Sequence, residues 1–313
     1  MQLAMFLPLL CPVLAGVFAR PLGNRLEPRA ATWTLTISAV VLAAASWVAL
    51  AVLALTGLAR IPLVADLGHW SAAVIQHNDP VSLGIAAAAG LLLVVTAATA
   101  VRMLWRRLRA LLAAGLDAAC MPGPDQLAVM EDPAPDAYAI PGLPGRIVVS
   151  TGMLSSLDTT ERDILLAHER AHLTAHHYLF VASAQLGAAA NPFLRPLATA
   201  VTYTVERWAD EHAATVFGDR HRVARTVGKA ALATKHAPAR RRIPAAALGL
   251  IGRRDALKSA GPVPRRVAAL LAPPPELRLL PLAATAVVLI AAGLSAFDAA
   301  RDLHLLLELA GAG

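Results

Sequence analysis

The run Asp158-Thr159-Thr160-Glu161-Arg162-Asp163-Ile164-Leu165-Leu166-Ala167-His168-Glu169-Arg170-Ala171-His172 points to one helix from both of its ends. Its start, Asp158 to Glu161, has the form of a capping box, in which the first and fourth residues satisfy each other's orphan backbone N–H groups. Ile164, Leu165 and Ala167 supply an apolar face. Its end, His168 to His172, fits HExxH. On a helix, histidines four residues apart share a face, so both imidazoles reach one tetrahedral metal, for which zinc is expected. Glu169 is then offset to meet a metal-bound water.

A catalytic zinc takes three protein ligands and leaves its fourth position to water. Glu206 is the best third candidate, in Glu206-Arg207-Trp208-Ala209-Asp210 on a second expected helix. Asp210, one turn further along the same face, is placed to hydrogen-bond a ligating histidine and fix its tautomer. Glu and Asp at this spacing usually form a solvated face, and it is the nearby HExxH that gives the pair a function. Glu211 and His212 compete for the ligand role but are turned away by about 100° per residue. His176 continues the line of His168 and His172, yet lies about 6 Å further along the axis. It and His177 are read as interface or substrate-facing side chains. Tyr203, His212 and the pair Arg265-Arg266 remain open as oxyanion donors. Zinc in such a set lowers the pKa of its water to about 7 and polarises a carbonyl. Glu169 would take the proton and deliver it to a leaving amine, so peptide-bond hydrolysis is the expected chemistry.

The surroundings are apolar. With 57% hydrophobic and 16% charged residues and a mean hydropathy of +0.57, the chain is too greasy for an ordinary soluble domain of its length. Four charge-free stretches, 1–19, 33–59, 80–101 and 279–297, approach or exceed the roughly 20 residues a helix needs to cross a bilayer. The first lacks the basic start and cleavage site of a secretory signal and is read as a retained helix. No span contains an ionisable residue of the kind a transport pathway needs.

Arg20, Arg25 and Arg29 follow the first span, and Arg102, Arg106, Arg107 and Arg109 follow the third. The second loop offers only Arg60, beside Asp66 and Asp79. Positive loops stay in the cytoplasm. The N-terminus is therefore expected outside, residues 102–278 inside as one cytoplasmic domain, and 298–313 outside as a short tail. The basic excess behind the net charge of +7 sits in the cytoplasmic segment. It suits an anionic bilayer surface, and with no nucleic-acid motif beside it, no direct nucleic-acid partner is expected. Cys11 and Cys120 make neither a disulfide framework nor a metal knuckle.

Ala171 to Leu194 has no Asp, Glu, Lys or Arg and is long enough to be mistaken for a fifth span. A span there would put His172 and Glu206 on opposite sides of the bilayer. The stretch also holds His172, His176, His177, Gln185, Asn191 and Pro192, so a buried or membrane-hugging helix that turns back at Asn191-Pro192 is expected instead.

His168 to His172, then Asn191-Pro192-Phe193, then Glu206 to Asp210, with three spans before the domain and one after, resemble the BlaR/MecR-type membrane metallopeptidases. The resemblance to the HtpX-type proteases, which usually place two spans on each side, is more distant. It implies a mainly α chain of four transmembrane helices plus a cytoplasmic α+β HExxH zinc-protease domain of gluzincin type. Asp136 to Gly142 and Arg146 to Ser150 look like the strands that precede the metal helix in these proteases. They are either an edge that holds an extended substrate by backbone pairing or an ordinary hairpin. Pro262-Val263-Pro264-Arg265-Arg266-Val267 resembles the HtpX-type stretch in which His-Pro precedes an Arg. Gly261 stands where that His would be, so no catalytic role is carried over to Arg265 or Arg266, and packing near the membrane is expected of them. The resemblance further implies signal-responsive cleavage of a cytoplasmic protein substrate, a regulator such as a transcriptional repressor. No outer sensor domain is read here, so a stimulus would enter through the spans, the loop from Arg60 to Asp79 or a partner. A quality-control protease for membrane proteins is the competing enzyme reading. A non-catalytic receptor or scaffold is the other, disfavoured by the complete ligand set.

Overall fold

The computed structural model describes residues 7–61, 82–120, 126–142, 145–236 and 262–311. The start of the first expected span, the loop carrying Asp66 and Asp79, the basic run Arg240–Arg242 and Gly261 lie outside the described residues.

Four helices are long and apolar enough to cross a membrane: α1 (Leu7–Arg25), α2 (Pro28–Leu58), α3 (Leu83–Cys120) and the last helix, α10 (Leu279–Gly311). All four outrun the apolar stretches that announce them, α1 by continuing to Arg25. Pro28, pre-set for a first helical turn, starts α2 early, and the Glu27 carboxylate accepts from the N–H groups of Arg29 and Ala30 at 2.9 and 2.7 Å. Beyond Val101, α3 meets a run rich in Leu, Ala and Arg, which favours continued helix, and it ends at Cys120. Likewise, α10 runs through Asp298, Arg301 and Asp302, where the sequence suggests only a tail.

Between α3 and α10 lies the segment that carries the candidate site. A small sheet of β1 (Leu127–Met130), β2 (Ala137–Ile140) and β3 (Arg146–Ser150) has the order β1-β3-β2. The expected strand pair is antiparallel, with Ala137 opposite Val149. The third strand, β1, runs parallel to β3 with Leu127 opposite Ile147. Five helices follow the sheet directly: α4 (Thr151–Ser156), α5 (Thr159–Thr174), α6 (His177–Ala190), α7 (Arg195–Phe217) and α8 (Arg220–His236). The last before α10 is α9 (Pro262–Leu271).

The charge-free stretch folds back on itself. His176 adopts a left-handed conformation (φ 50°) that separates α5 from α6. At the far end, a one-turn 3-10 helix over Pro192–Leu194 leads from α6 into α7, and Asn191 accepts from the Phe193 N–H at 3.1 Å. The turn is fastened to the long helices. Asn191 Nδ2 donates to Ser46 Oγ at 2.9 Å, Trp47 Nε1 to the Ala190 carbonyl at 3.2 Å, and Thr99 Oγ1 to the Ala189 carbonyl at 3.0 Å. On α1, Gly16 faces the Phe193 carbonyl and Pro196. Gly16 and Thr99 lie just before Arg20 on α1 and Arg102 on α3, the first charges after those two apolar runs, whereas Ser46 and Trp47 lie inside the uncharged run of α2. The turn therefore sits near the ends of the uncharged runs of α1 and α3, and α6 and α7 lead from it along the first half of α2. Leu35 and Leu42 of α2, Phe180, Val181 and Ala184 of α6, and Leu197, Val201 and Val205 of α7 form the shared core with Cys11 and Ala19.

Close approach of α6 to α2 depends on Gly187, where an added Cβ would lie 2.7 Å from the Ala39 carbonyl oxygen. Gly187→Val is expected to cost about 1–3 kcal/mol through this overpacking. A thermal unfolding midpoint in detergent equal to wild type would contradict the packing.

Candidate metal centre

Helix α5 is set by its cap. Asp158 Oδ1 accepts from the Glu161 N–H and Glu161 Oε2 from the Asp158 N–H, both at 2.8 Å, so the capping box is complete. Ile164 and Ala167 pack toward α7, α8 and α9, which turns the face bearing His168 and Glu169 inward. His168 is 5% exposed and Glu169 3%.

Three candidate ligands meet across α5 and α7. His168 Nε2 and His172 Nε2 are 3.2 Å apart. Glu206 brings Oε2 to 3.8 Å from His168 Nε2 and Oε1 to 3.7 Å from His172 Nε2. Zinc bonds of about 2.0–2.1 Å in a tetrahedron place ligand atoms roughly 3.3 Å apart, so these donors fit one zinc ion. Among the described residues they are the one group of His, Cys, Asp or Glu side chains with such a spacing.

Each histidine is held from behind. Asp210 Oδ1 lies 3.0 Å from His168 Nδ1, which places the proton on Nδ1 and leaves the Nε2 lone pair for the metal. For His172 the partner is His177, buried completely, with the two Nδ1 atoms 3.0 Å apart. If His172 ligates through Nε2, its Nδ1–H donates and His177 Nδ1 accepts, which requires a neutral His177 protonated on Nε2. Burial supports this state, pushing the His177 pKa down to about 3 and that of His172 well below the usual imidazole value. The His177 ring packs on Trp208 at a centroid distance of 4.6 Å. His177→Ala is expected to weaken zinc binding by about 10–100-fold, the usual effect of losing such a partner. His177→Asn, which keeps an acceptor, should recover part of it in a chelator competition; equal affinity in the Ala variant would remove His177 from the site.

Arg266, from α9, closes the centre. Its Nη1 donates to Glu206 Oε2 at 2.6 Å, while Nε and Nη2 form a fork on Asp210 at 2.7 and 2.6 Å. Burial alone would raise the Asp210 pKa, but the guanidinium and His168 hold it below the usual carboxylate range. Reciprocally, the two carboxylates outweigh burial at Arg266 and raise its pKa further. Arg266 thus neutralises the carboxylates and aims both at the histidines. The sequence assigned it no such part in the site.

Neighbouring residues tie α7 to the first two long helices. Arg207 Nη1 donates to the Gly23 carbonyl at 2.8 Å and contacts those of Asn24 and Leu26 at 3.4 Å, satisfying the open end of α1. Arg265 lies over the Tyr203 ring at 4.1 Å and hydrogen-bonds Asn24 Oδ1. This leaves Tyr203 and Arg265 engaged with one another. His176 is an exposed turn residue, His212 is exposed, and Glu211 pairs with Arg220, so none of these joins the three ligand donors. The sheet order makes β2 an edge strand packed against α5, and its residues are buried.

His168, His172, Glu206 and Asp210 were all legible as a set, whereas His177 and the part played by Arg266 were not. A signal for His177 existed in its complete lack of charged neighbours, but its position five residues after His172 meets the metal histidine only because the chain breaks at His176. For Arg266 the signal was the need of two inward carboxylates for a buried cation.

With this geometry in view, residues 102–194 match the model of peptidase family M48. The match covers less than a third of the chain, so it is a likeness of this segment to metallopeptidases of that family, beside four apolar helices long enough for a membrane. It covers α5 with His168, Glu169 and His172 and ends before Glu206. The curated proteins include no match to the chain. Among solved structures there is likewise no match.

Proposed function

We propose that this chain is a membrane-embedded zinc endopeptidase in which His168, His172 and Glu206 hold the metal and Glu169 is the general base. The observation that carries this reading is the convergence of the three donors at 3.2–3.8 Å, each backed by a partner that orients it. Bound zinc would supply an acidified water and a Lewis acid for the scissile carbonyl. Glu169, buried beside His168, would accept the water's proton and pass it to the leaving amine. Asp210 and His177 would keep the imidazoles in the ligating tautomer, and Arg266 would hold Glu206 and Asp210 in place.

The arginines after the first and third spans support a cytoplasmic position for the catalytic half. The substrate in this reading is a cytoplasmic regulator, such as a transcriptional repressor, cleaved in response to a signal; the three-plus-one layout of spans supports it. Degradation of damaged membrane proteins is favoured by another observation. Glu206 stands only about 16 Å along α7 from Arg195 at the turn, using 1.5 Å per residue, so the site would lie close to the bilayer surface. Comparing proteins that accumulate in a Glu169→Gln strain separates the two. One stabilised soluble regulator supports signalling, and a broad set of membrane proteins supports quality control. An unchanged set would contradict both.

A further inference from the structure

Helix α3 changes character at one residue. Leu83 to Val101 carries no charge, and then Arg102, Arg106, Arg107 and Arg109 follow. Three of these, Arg102, Arg106 and Arg107, line an open hollow of about 390 Å³ together with Thr99 and Met103, all five on α3 and with Arg102 and Arg106 exposed. Arg102 and Arg106 are one turn apart on the same face, where like charges repel. Among the described residues, no carboxylate lies within ion-pair distance of any of the three guanidiniums. Within the described residues, then, three cations without a carboxylate partner form a face suited to an anion.

The flanks restrict which anion. Val101, Leu104, Trp105 and Leu108 are 66%, 56%, 58% and 46% exposed on the same helix, a surface suited to acyl chains with an aromatic at the interface. The Thr99 hydrogen bond to Ala189 fixes the hollow beside the end of α6, where the uncharged run of α3 gives way to arginines. We propose that this hollow binds the headgroup phosphate of an anionic phospholipid, with the arginine forks on its oxygens and its acyl chains along the apolar flank. Guanidinium planes match phosphate oxygens in pairs. A zwitterionic lipid would bring a cation toward the same arginines and is disfavoured.

The test is native mass spectrometry of delipidated full-length protein in mild detergent, titrated with phosphatidylglycerol, phosphatidylcholine or inorganic phosphate. One phosphatidylglycerol per chain is expected, with affinity about tenfold or more above phosphatidylcholine. Arg102→Gln/Arg106→Gln should lose about tenfold or more of it, in keeping with the worth of each basic residue near an anionic surface. Met103→Trp, which fills the hollow and keeps every charge, should lose the lipid as well. Arg109→Gln/Arg225→Gln removes the same charge outside the hollow and should bind as wild type does. Three results would each overturn the proposal. They are unchanged binding in both variants of the hollow, equal loss in the charge-matched control, or displacement of the lipid by inorganic phosphate.

Discussion

Glu169→Gln should leave zinc in place and reduce peptide hydrolysis by about 10²–10⁴-fold, the range a positioned general base contributes. The substitution keeps the shape of a side chain that is 3% exposed and removes only its capacity to take a proton. The expected defect is in turnover, with the metal content of wild type. Metal analysis and hydrolysis of an unfolded protein substrate on the same purified sample check it. Near-wild-type turnover would show that another group accepts the proton, and loss of metal would show that Glu169 acts through the structure of the site.

The second large effect is expected at Arg266. The side chain is 4% exposed and makes three hydrogen bonds to Glu206 and Asp210. Arg266→Met would leave two inward carboxylates facing each other without a cation, and breaking a buried ion pair by removing one partner costs about 3–5 kcal/mol. Zinc supplies positive charge to the same carboxylates, so the loss should be largest in metal-free protein and smaller with zinc bound. Thermal unfolding with and without zinc reads both halves of this expectation. Arg266→Lys should be intermediate, since an ammonium keeps the charge and cannot reproduce the fork. A midpoint within the range of an ordinary surface substitution would contradict the part assigned to Arg266.

The two readings of Arg266 show where sequence patterns stop. HExxH and Glu206-x-x-x-Asp210 are local, and helical periodicity alone puts each set on one face. Joining the two faces needs only the turn at Asn191-Pro192, itself marked in the sequence. Arg266 comes from α9, about 60 residues beyond Glu206, and the departure at Gly261 from the HtpX-type pattern argued against assigning it a role. Its place follows from tertiary packing of α9 against α7 and α8. His177 was hidden differently. Periodicity carried through Ala175 and His176 turns it away from His172, but the left-handed residue at His176 resets the phase. Histidine is among the few non-glycine residues enriched at positive φ, but that preference does not say which of two adjacent histidines breaks the helix.

The long helices were legible as apolar runs, although their ends were not. Hydropathy locates the part that needs lipid, and helix propensity continues beyond it in α3 and α10. Strand β1 was missed because Leu127 to Met130 is too short for alternation to show. Its pairing with β3 is parallel and bridges a segment that contains β2, a contact that no local pattern encodes.

The central claim, one zinc held by His168, His172 and Glu206, is tested most directly by elemental analysis of detergent-purified wild type, His168→Ala and Glu206→Gln after zinc loading and removal of excess metal. One equivalent in wild type, with marked loss in both variants, is the predicted result. Full zinc retention in Glu206→Gln would move the third ligand elsewhere, and wild-type protein that holds no zinc after loading would contradict the account.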